Sequence, residues 1–287
     1  MKKQLLAIFM LVFLPVTAAL AVKISSLYQA EVVVSAQSEA ARIAAAKQGL
    51  LTVLIRMTGN AQIEKNPEIS HALTNADDFV QTYHYAPAAA ARQSLTQLLI
   101  FSFNKGGINL LLKSAGVSQW TDERPLVLVW VAQLTPQLES DILNNHSQAQ
   151  LVNLMRQDSN RLGLPLVFPE MDMADASQVS VHDITAFNLP ILKETGKRYS
   201  FDAMLIGSLE PGEDKFTSHW RLVIGDKQWE WTFDEKSQTL MVSKVMDQIS
   251  QVLAANYVVP QQHAAAQRVT MNPQEVFDNK PIEGWSF

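Results

Sequence analysis

Cysteine is absent from the 287 residues. That excludes disulfide staples, thiolate zinc sites, thiol nucleophiles and a lipid-bearing cysteine at a processed N-terminus. Glycine and proline are scarce as well, 11 and 12 residues, so no collagenous or low-complexity class applies. Charge is sparse at 18% and the balance is acidic, −5. Loss of Lys2 and Lys3 with a leader would take it from −5 to −7, which argues against a nucleic-acid partner. Beyond the first 22 residues no apolar run reaches the length of a membrane span. What is present is a 47% hydrophobic chain, enough to build a sizeable core in one large domain or two modest ones.

The N-terminus places Lys2 and Lys3 before the apolar run from Leu5 to Leu14, then Pro15, then Ala19-Leu20-Ala21. This is the layout of a secretory signal, residues 1–21, with cleavage expected after Ala21 and export to the periplasm. The alternative is an uncleaved inner-membrane anchor over residues 5–22.

Tyr28 to Val34 alternates as a strand. A helix follows from Ser35 or Ser38, with Ile43, Ala46, Leu50, Val53, Leu54 and Met57 on one face and Gly59-Asn60 as its stop. Pro67 opens a second helix, expected to run through Tyr83 with Phe79, Val80 and Tyr83 inward. Ala86 to Ala91 reads as a connector, Ser94 to Phe103 as a strand and Ile108 to Ser114 as a short helix. From Pro125, a strand through Ala132 with almost no polar residue is expected to be covered on both faces. Helix Ala149–Leu162, strand Leu164–Phe168, helix Pro190–Arg198 and strand Phe201–Ser208 alternate after it, ahead of a loop from Glu210 to Asp214. Gly225-Asp226 joins Phe216–Ile224 to Lys227–Phe233 as a hairpin, and Ser237 to Tyr257 is a long helix. The expected class is α/β, with α+β possible: two small α/β units, residues 22–121 and 122–259, and a poorly ordered tail, 260–287. Whether the two units share one sheet stays open.

Chemistry is hard to find. Gly106-Gly107 lacks the third glycine of a dinucleotide loop, and around Gly196-Lys197 the P-loop positions hold Ile191 and Arg198. The six histidines are scattered singly, without a zinc-binding spacing. Glu170, Asp172 and Asp175, with His182-Asp183 nearby, could suggest oxygen ligands for a hard cation, but a solvated loop with helix-capping aspartates is the favoured reading. Ser102 and Lys105 match Ser-x-x-Lys, in which the amine deprotonates the hydroxyl. The companion motifs of such hydrolases are absent. Trp229, Trp231 and Phe233 share one strand face, favoured as core over a ligand stripe, and Trp120 with Arg124 flanks the joint as a candidate cation–π contact.

The run Leu110 to Trp120 followed by Arg124 to Trp130 resembles a proteobacterial family known only as a domain of unknown function, the twenty-sixty-six family. Arg56-Met-Thr-Gly-Asn60, Gln81 to Tyr85, Gly163 to Pro169 with Asp172, and Phe201 to Gly207 look like its other segments, over about residues 27–259. That resemblance implies no activity and no site residues. From Pro125 onward the element order also looks like the N-terminal domain of TolB and the curli secretion lipoproteins, which implies docking onto partners. The expectation is an exported envelope protein acting as a non-catalytic binding or assembly module, with no catalytic, cofactor or metal residues, an envelope protein as partner and no integral span in the processed chain. The alternative is a periplasmic serine hydrolase using Ser102 and Lys105.

Overall fold

The computed structural model describes residues 22–23, 27–87, 97–120, 122–135 and 140–257. The expected signal (1–21), the tail (260–287) and residues 88–91 of the expected connector lie outside them. Strand β1 (Val22–Lys23) is followed by β2 (Gln29–Val34), whose alternation buries Ala30, Val32 and Val34 and exposes Gln29, Glu31 and Val33. Helix α1 (Glu39–Thr58) covers that buried face. It starts where the Ser38 hydroxyl accepts from the Ala41 N–H and stops where Gly59 turns left-handed at φ 68°, its N–H on the Ile55 carbonyl. Burial begins only at Ala45, so Ile43, expected on the inner stripe, is 45% exposed.

Helix α2 (Pro67–Thr74) opens on Pro67 behind the Asn66 cap, as expected, but it does not reach Tyr83. A 3₁₀ turn at Ala76–Phe79 leads into strand β3 (Val80–Pro87). Phe79, Val80 and Tyr83 satisfy a helical spacing, but Val80, Thr82, Tyr83 and Tyr85 are β-branched or aromatic residues that pair well across strands. The pairing of β3 with β4 (Gln97–Phe103) decides the matter, and Tyr83 is 47% exposed rather than inward. Helix α3 (Lys105–Ser114) completes the unit, and its strands form an antiparallel sheet in the order β2-β4-β3.

Strand β5 (Glu123–Arg124) pairs with β1, and β6 (Val127–Gln133) then enters a second, six-stranded sheet. Its remaining elements are β7 (Asp141–Leu143), α4 (Gln150–Leu162), β8 (Leu166–Val167), α5 (Met173–Ala176), α6 (Val181–Thr185), α7 (Leu189–Gly196), β9 (Ala203–Pro211), β10 (Phe216–Ile224), β11 (Lys227–Glu235) and α8 (Gln238–Tyr257). The order is β11-β10-β9-β6-β7, with β8 also on β6; β6 runs parallel to β8 and β9, and the other pairs are antiparallel. The protein is therefore built of helices and mixed sheets, within the α/β to α+β range. Strand β6 is covered on both faces: Val127, Val129 and Val131 join the cluster under α4 and α8, and Leu128, Trp130 and Ala132 join the one under α6 and α7. Gly225 takes φ 57° in the hairpin turn between Ile224 and Lys227, where a side chain would be strained. Strand β9 continues through Glu210 to Pro211, into the expected loop, because β10 pairs with it as far as Phe216.

The three-stranded and six-stranded sheets are separate, yet one hydrophobic cluster runs through the elements of both, from Leu50, Val53 and Phe101 to Leu162, Val245 and Ile249. Two buried arginines pin the joint. Arg56 donates to the carbonyls of Gln29 (2.8 Å) and Arg161 (3.0 Å). Arg124 donates to the Arg56 carbonyl (2.9 Å), and its guanidinium lies 4.0 Å from the centre of the Trp120 ring, the cation–π contact expected there. Burial, and then repulsion between neighbouring guanidiniums, push both below the ordinary arginine range.

Candidate functional site: a cleft between the two units

Beyond the edge of β2 the structure leaves a cleft of about 470 Å³, within the size range of small-ligand sites. Its wall on one side is β2 with Gln29, Glu31 and Val33. Its floor is α1, where Gln48, Thr52 and Arg56 recur every four residues and so share one face. The far wall is the last turns of α4, with Gln157, Asp158, Asn160 and Arg161. Both units thus contribute, and the lining is mostly polar. Arg161 is held by Asp158 (2.7 Å) and by Asp247 of α8 (2.8 Å). Burial opposes its charge, but those two carboxylates more than offset the effect and leave the guanidinium above its ordinary range. The α4 wall is thereby tied to α8, and the floor is tied to both walls through Arg56. Such a seat is preformed.

The residues singled out from the sequence lie elsewhere. Ser102, in β4, alternates with the buried Phe101 and Phe103 and so sits on the sheet face away from α1. Lys105 opens α3 with its ammonium 5.4 Å from the centre of the Tyr28 ring. No hydrogen bond joins Ser102 to Lys105 among the described residues, so the geometry does not assemble a nucleophile with its base. Trp229, Trp231 and Phe233 are half-buried and pack on the core beneath α8, the favoured reading of that stripe.

Asp172 and Asp183 are helix caps, as favoured. Asp172 accepts from the backbone of Ala174 and Asp175 at the start of α5, and Asp183 forms a capping box with Ser180 on α6. Asp172 also holds Arg198 through two 2.8 Å contacts. Asp175 is 0% exposed and accepts from Arg198 (3.1 Å), the Met171 N–H (3.0 Å) and the Tyr199 hydroxyl. The Tyr199 oxygen accepts in turn from the Glu170 N–H (2.8 Å). This network welds the segment after β8 to the turn before β9, and it holds Met171 (φ 52°) and Ser200 (φ 49°) in a conformation that costs non-glycine residues energy. Glu170 meets His146 (2.8 Å) and Asn145 (3.0 Å) instead. No group of three metal-type ligands converges among the described residues.

The Arg198 guanidinium, with the backbone N–H of Asp175, holds the Asp172 carboxyl down at about 2. A free aspartate titrates near 3.9, so the folded state binds the proton less well than the unfolded one. The stabilisation is complete above the unfolded value and is lost as pH falls through about 2. Asn keeps the cap but not the charge. The difference in urea midpoint between the native chain and Asp172→Asn should therefore shrink steadily between pH 5 and pH 2. A pH-independent difference would show that the ion pair adds nothing to stability.

Fold and cleft together define the class: a protein of helices and mixed sheets, in the α/β to α+β range, with a braced polar cleft between its three-stranded sheet and the helix α4 of its six-stranded one. Residues 21–121 match the model of a family described as a domain of unknown function, DUF8605. No curated protein matches the chain. The family match corrects the resemblance to the twenty-sixty-six family. Segments that carried the likeness, such as Arg56 to Asn60 and Gly163 to Pro169, contain left-handed glycine stops after helices, at Gly59 and Gly163, and the run Leu126 to Trp130 is mostly a buried strand. These are signals that many α/β chains share.

Sequence reasoning passed over Glu31, Gln48, Thr52, Gln157 and Asn160. The available signal was the four-residue recurrence of Gln48, Thr52 and Arg56, which puts three polar side chains on one face of the helix.

Proposed function

We propose that the protein is a non-catalytic binding or assembly module of the cell envelope, and that its ligand sits in the cleft between the units. The observation that carries this reading is the cleft itself, lined from both units and braced by Arg56 and Arg161. Rigid polar seats of this size orient a ligand through a few placed hydrogen-bonding groups. Envelope location is supported by the leader-like residues 1–21. Among the described residues no helix is long and apolar enough to cross a membrane. The likeness of the second unit's element order to envelope-assembly domains points the same way.

The test is a photocrosslinking side chain placed at Thr52 or Asn160 in cells, with Glu230, an exposed hairpin position, as control. Discrete adducts in the envelope fraction from the two cleft positions, missing from the control, are the expected result. Equal labelling from Glu230, or adducts confined to cytoplasmic proteins, would overturn the reading.

A further inference from the structure

Resting on the cleft as the binding seat, we infer that it takes an extended peptide, which adds as an antiparallel strand to the free edge of β2. The phase of the sheet carries the argument. The Phe103 N–H donates to the Tyr28 carbonyl (2.9 Å), and the register pairs Ala30 with Phe101, Val32 with Leu99 and Val34 with Gln97. In an antiparallel ladder directly opposed residues alternate between hydrogen-bonded and non-bonded pairs. The even-numbered residues of β2 therefore bond β4, and the N–H and C=O groups of Gln29, Glu31 and Val33 point the other way. The Arg56 guanidinium confirms the phase independently, because it donates to the Gln29 carbonyl from that outer side (2.8 Å).

Arg56 also marks where the open edge ends. Past it the backbone N–H and C=O of Glu31 and Val33 face the cleft, without hydrogen-bond partners among the described residues. Natural sheet edges are usually blunted by lysine, proline, a bulge or a covering element. Strand β2 has no lysine, no proline and a regular register with β4. Its far side holds a cleft in place of a cover. Peptides recognised by strand addition use such an edge for affinity and the flanking side chains for specificity.

The flanking side chains specify the chemistry. Glu31 and Val33 lie on the sheet face away from α1, so the peptide residues opposite them, two positions apart, share that face. The partner of Val33, which is 62% exposed beside the half-buried Leu98, is apolar. The partner of the Glu31 carboxylate is a lysine or arginine. The residue between them turns toward the α1 floor at Thr52 and Gln48 and is small and polar. Antiparallel addition reads the sequence as apolar, then small polar, then basic.

The probe is a fluorescein-labelled Thr-Gln-Val-Ser-Lys-Gln-Thr peptide titrated against the full chain. Binding is expected to weaken about tenfold when the valine or lysine nitrogen is methylated, since each methyl removes an N–H aimed at β2, and to be little changed by methylation of the serine nitrogen, which faces away. Glu31→Lys should discriminate against this peptide and prefer the analogue with glutamate in place of lysine. Val33→Pro removes one open-edge donor and leaves the β4 ladder intact, so it should weaken binding with an unchanged circular dichroism spectrum. Equal sensitivity at all three nitrogens, indifference to Glu31→Lys, or no binding at millimolar peptide would overturn the inference. If crosslinks from Thr52 persist while the peptide does not bind, only the strand inference falls. If a Gln48→Trp variant, which fills the cleft beside Thr52, leaves those crosslinks intact, the cleft reading falls with it.

Discussion

Gly207→Ala is expected to be among the most damaging single-methyl additions in this protein. Gly207 stands directly opposite Trp220 across β9 and β10, and the indole lies over the glycine. A Cβ at that position would come within 2.3 Å and 2.4 Å of two indole carbons. Real side chains do not approach so closely. Trp220 is itself buried in the cluster beneath α8, so the ring has little space to retreat into. Overpacking of a core costs roughly 1–3 kcal/mol and occasionally more, and a rigid indole puts this site at the upper end, about 3 kcal/mol. Urea denaturation read by tryptophan fluorescence measures it. Pairing the change with Trp220→Leu removes the obstructing ring, and the double variant should lose clearly less than the sum of the single losses, a coupling of at least about 1 kcal/mol. Additive losses would mean that the indole is not what excludes the methyl.

The second large effect is expected at Asp175. Its buried carboxylate collects Arg198, the Met171 N–H and the Tyr199 hydroxyl, and truncation to Ala strands the last two donors at once while Arg198 keeps Asp172. Removing one member of a buried charged network costs about 3–5 kcal/mol. Arg198 is partly exposed and regains water, so about 2–4 kcal/mol is the expected loss for Asp175→Ala. Tyr199→Phe removes one donor and should cost about 1 kcal/mol. The same hydroxyl titration reports the network spectroscopically. Burial, followed by the hydrogen bond to Asp175, pushes Tyr199 up to about 12, so tyrosinate absorbance in Asp175→Ala should include one group titrating closer to the usual value near 10. A difference spectrum that shows no such group, together with an unchanged urea midpoint, would remove Asp175 from its place as the weld between the segment after β8 and the turn before β9.

These two sites also show where the sequence was readable. Local signals carried most of the second unit: Gly163 and Gly225 mark a helix stop and a tight turn, and the run from Val127 to Ala132 has the composition of a strand covered on both sides. The α1 boundaries were legible for the same reason, with Ser38 and Gly59 at its ends. The stretch from Phe79 to Tyr85 was not. Its residues fit a helical face and a strand equally well, and pairing with Gln97–Phe103, decided by contacts made across the fold, resolves it. The three-residue β7 carries too few residues to show any period.

The cleft was hidden for a different reason. Glu31 and Val33 alternate as strand residues, but their position at a sheet edge depends on the order β2-β4-β3, which no local pattern encodes. The far wall comes from α4, more than a hundred residues along the chain. Asp172 and Asp175 illustrate the converse: their clustering was visible in sequence, but the arginine and tyrosine that use them arrive from Arg198 and Tyr199. The cluster's Asp172 and Asp175 carboxylates are therefore engaged as a helix cap and as partners of Arg198 and Tyr199.

The most direct measurement is amide hydrogen exchange at single-residue resolution along β2, with and without saturating Thr-Gln-Val-Ser-Lys-Gln-Thr peptide. In the free protein the Glu31 and Val33 amides should exchange fast while Ala30 and Val32, bonded to β4, are protected. Peptide should slow Glu31 and Val33 strongly and leave Ala30 and Val32 nearly unchanged. Protection of Glu31 and Val33 already present in the free chain, or no added protection with peptide bound, would contradict the open edge on which the account depends.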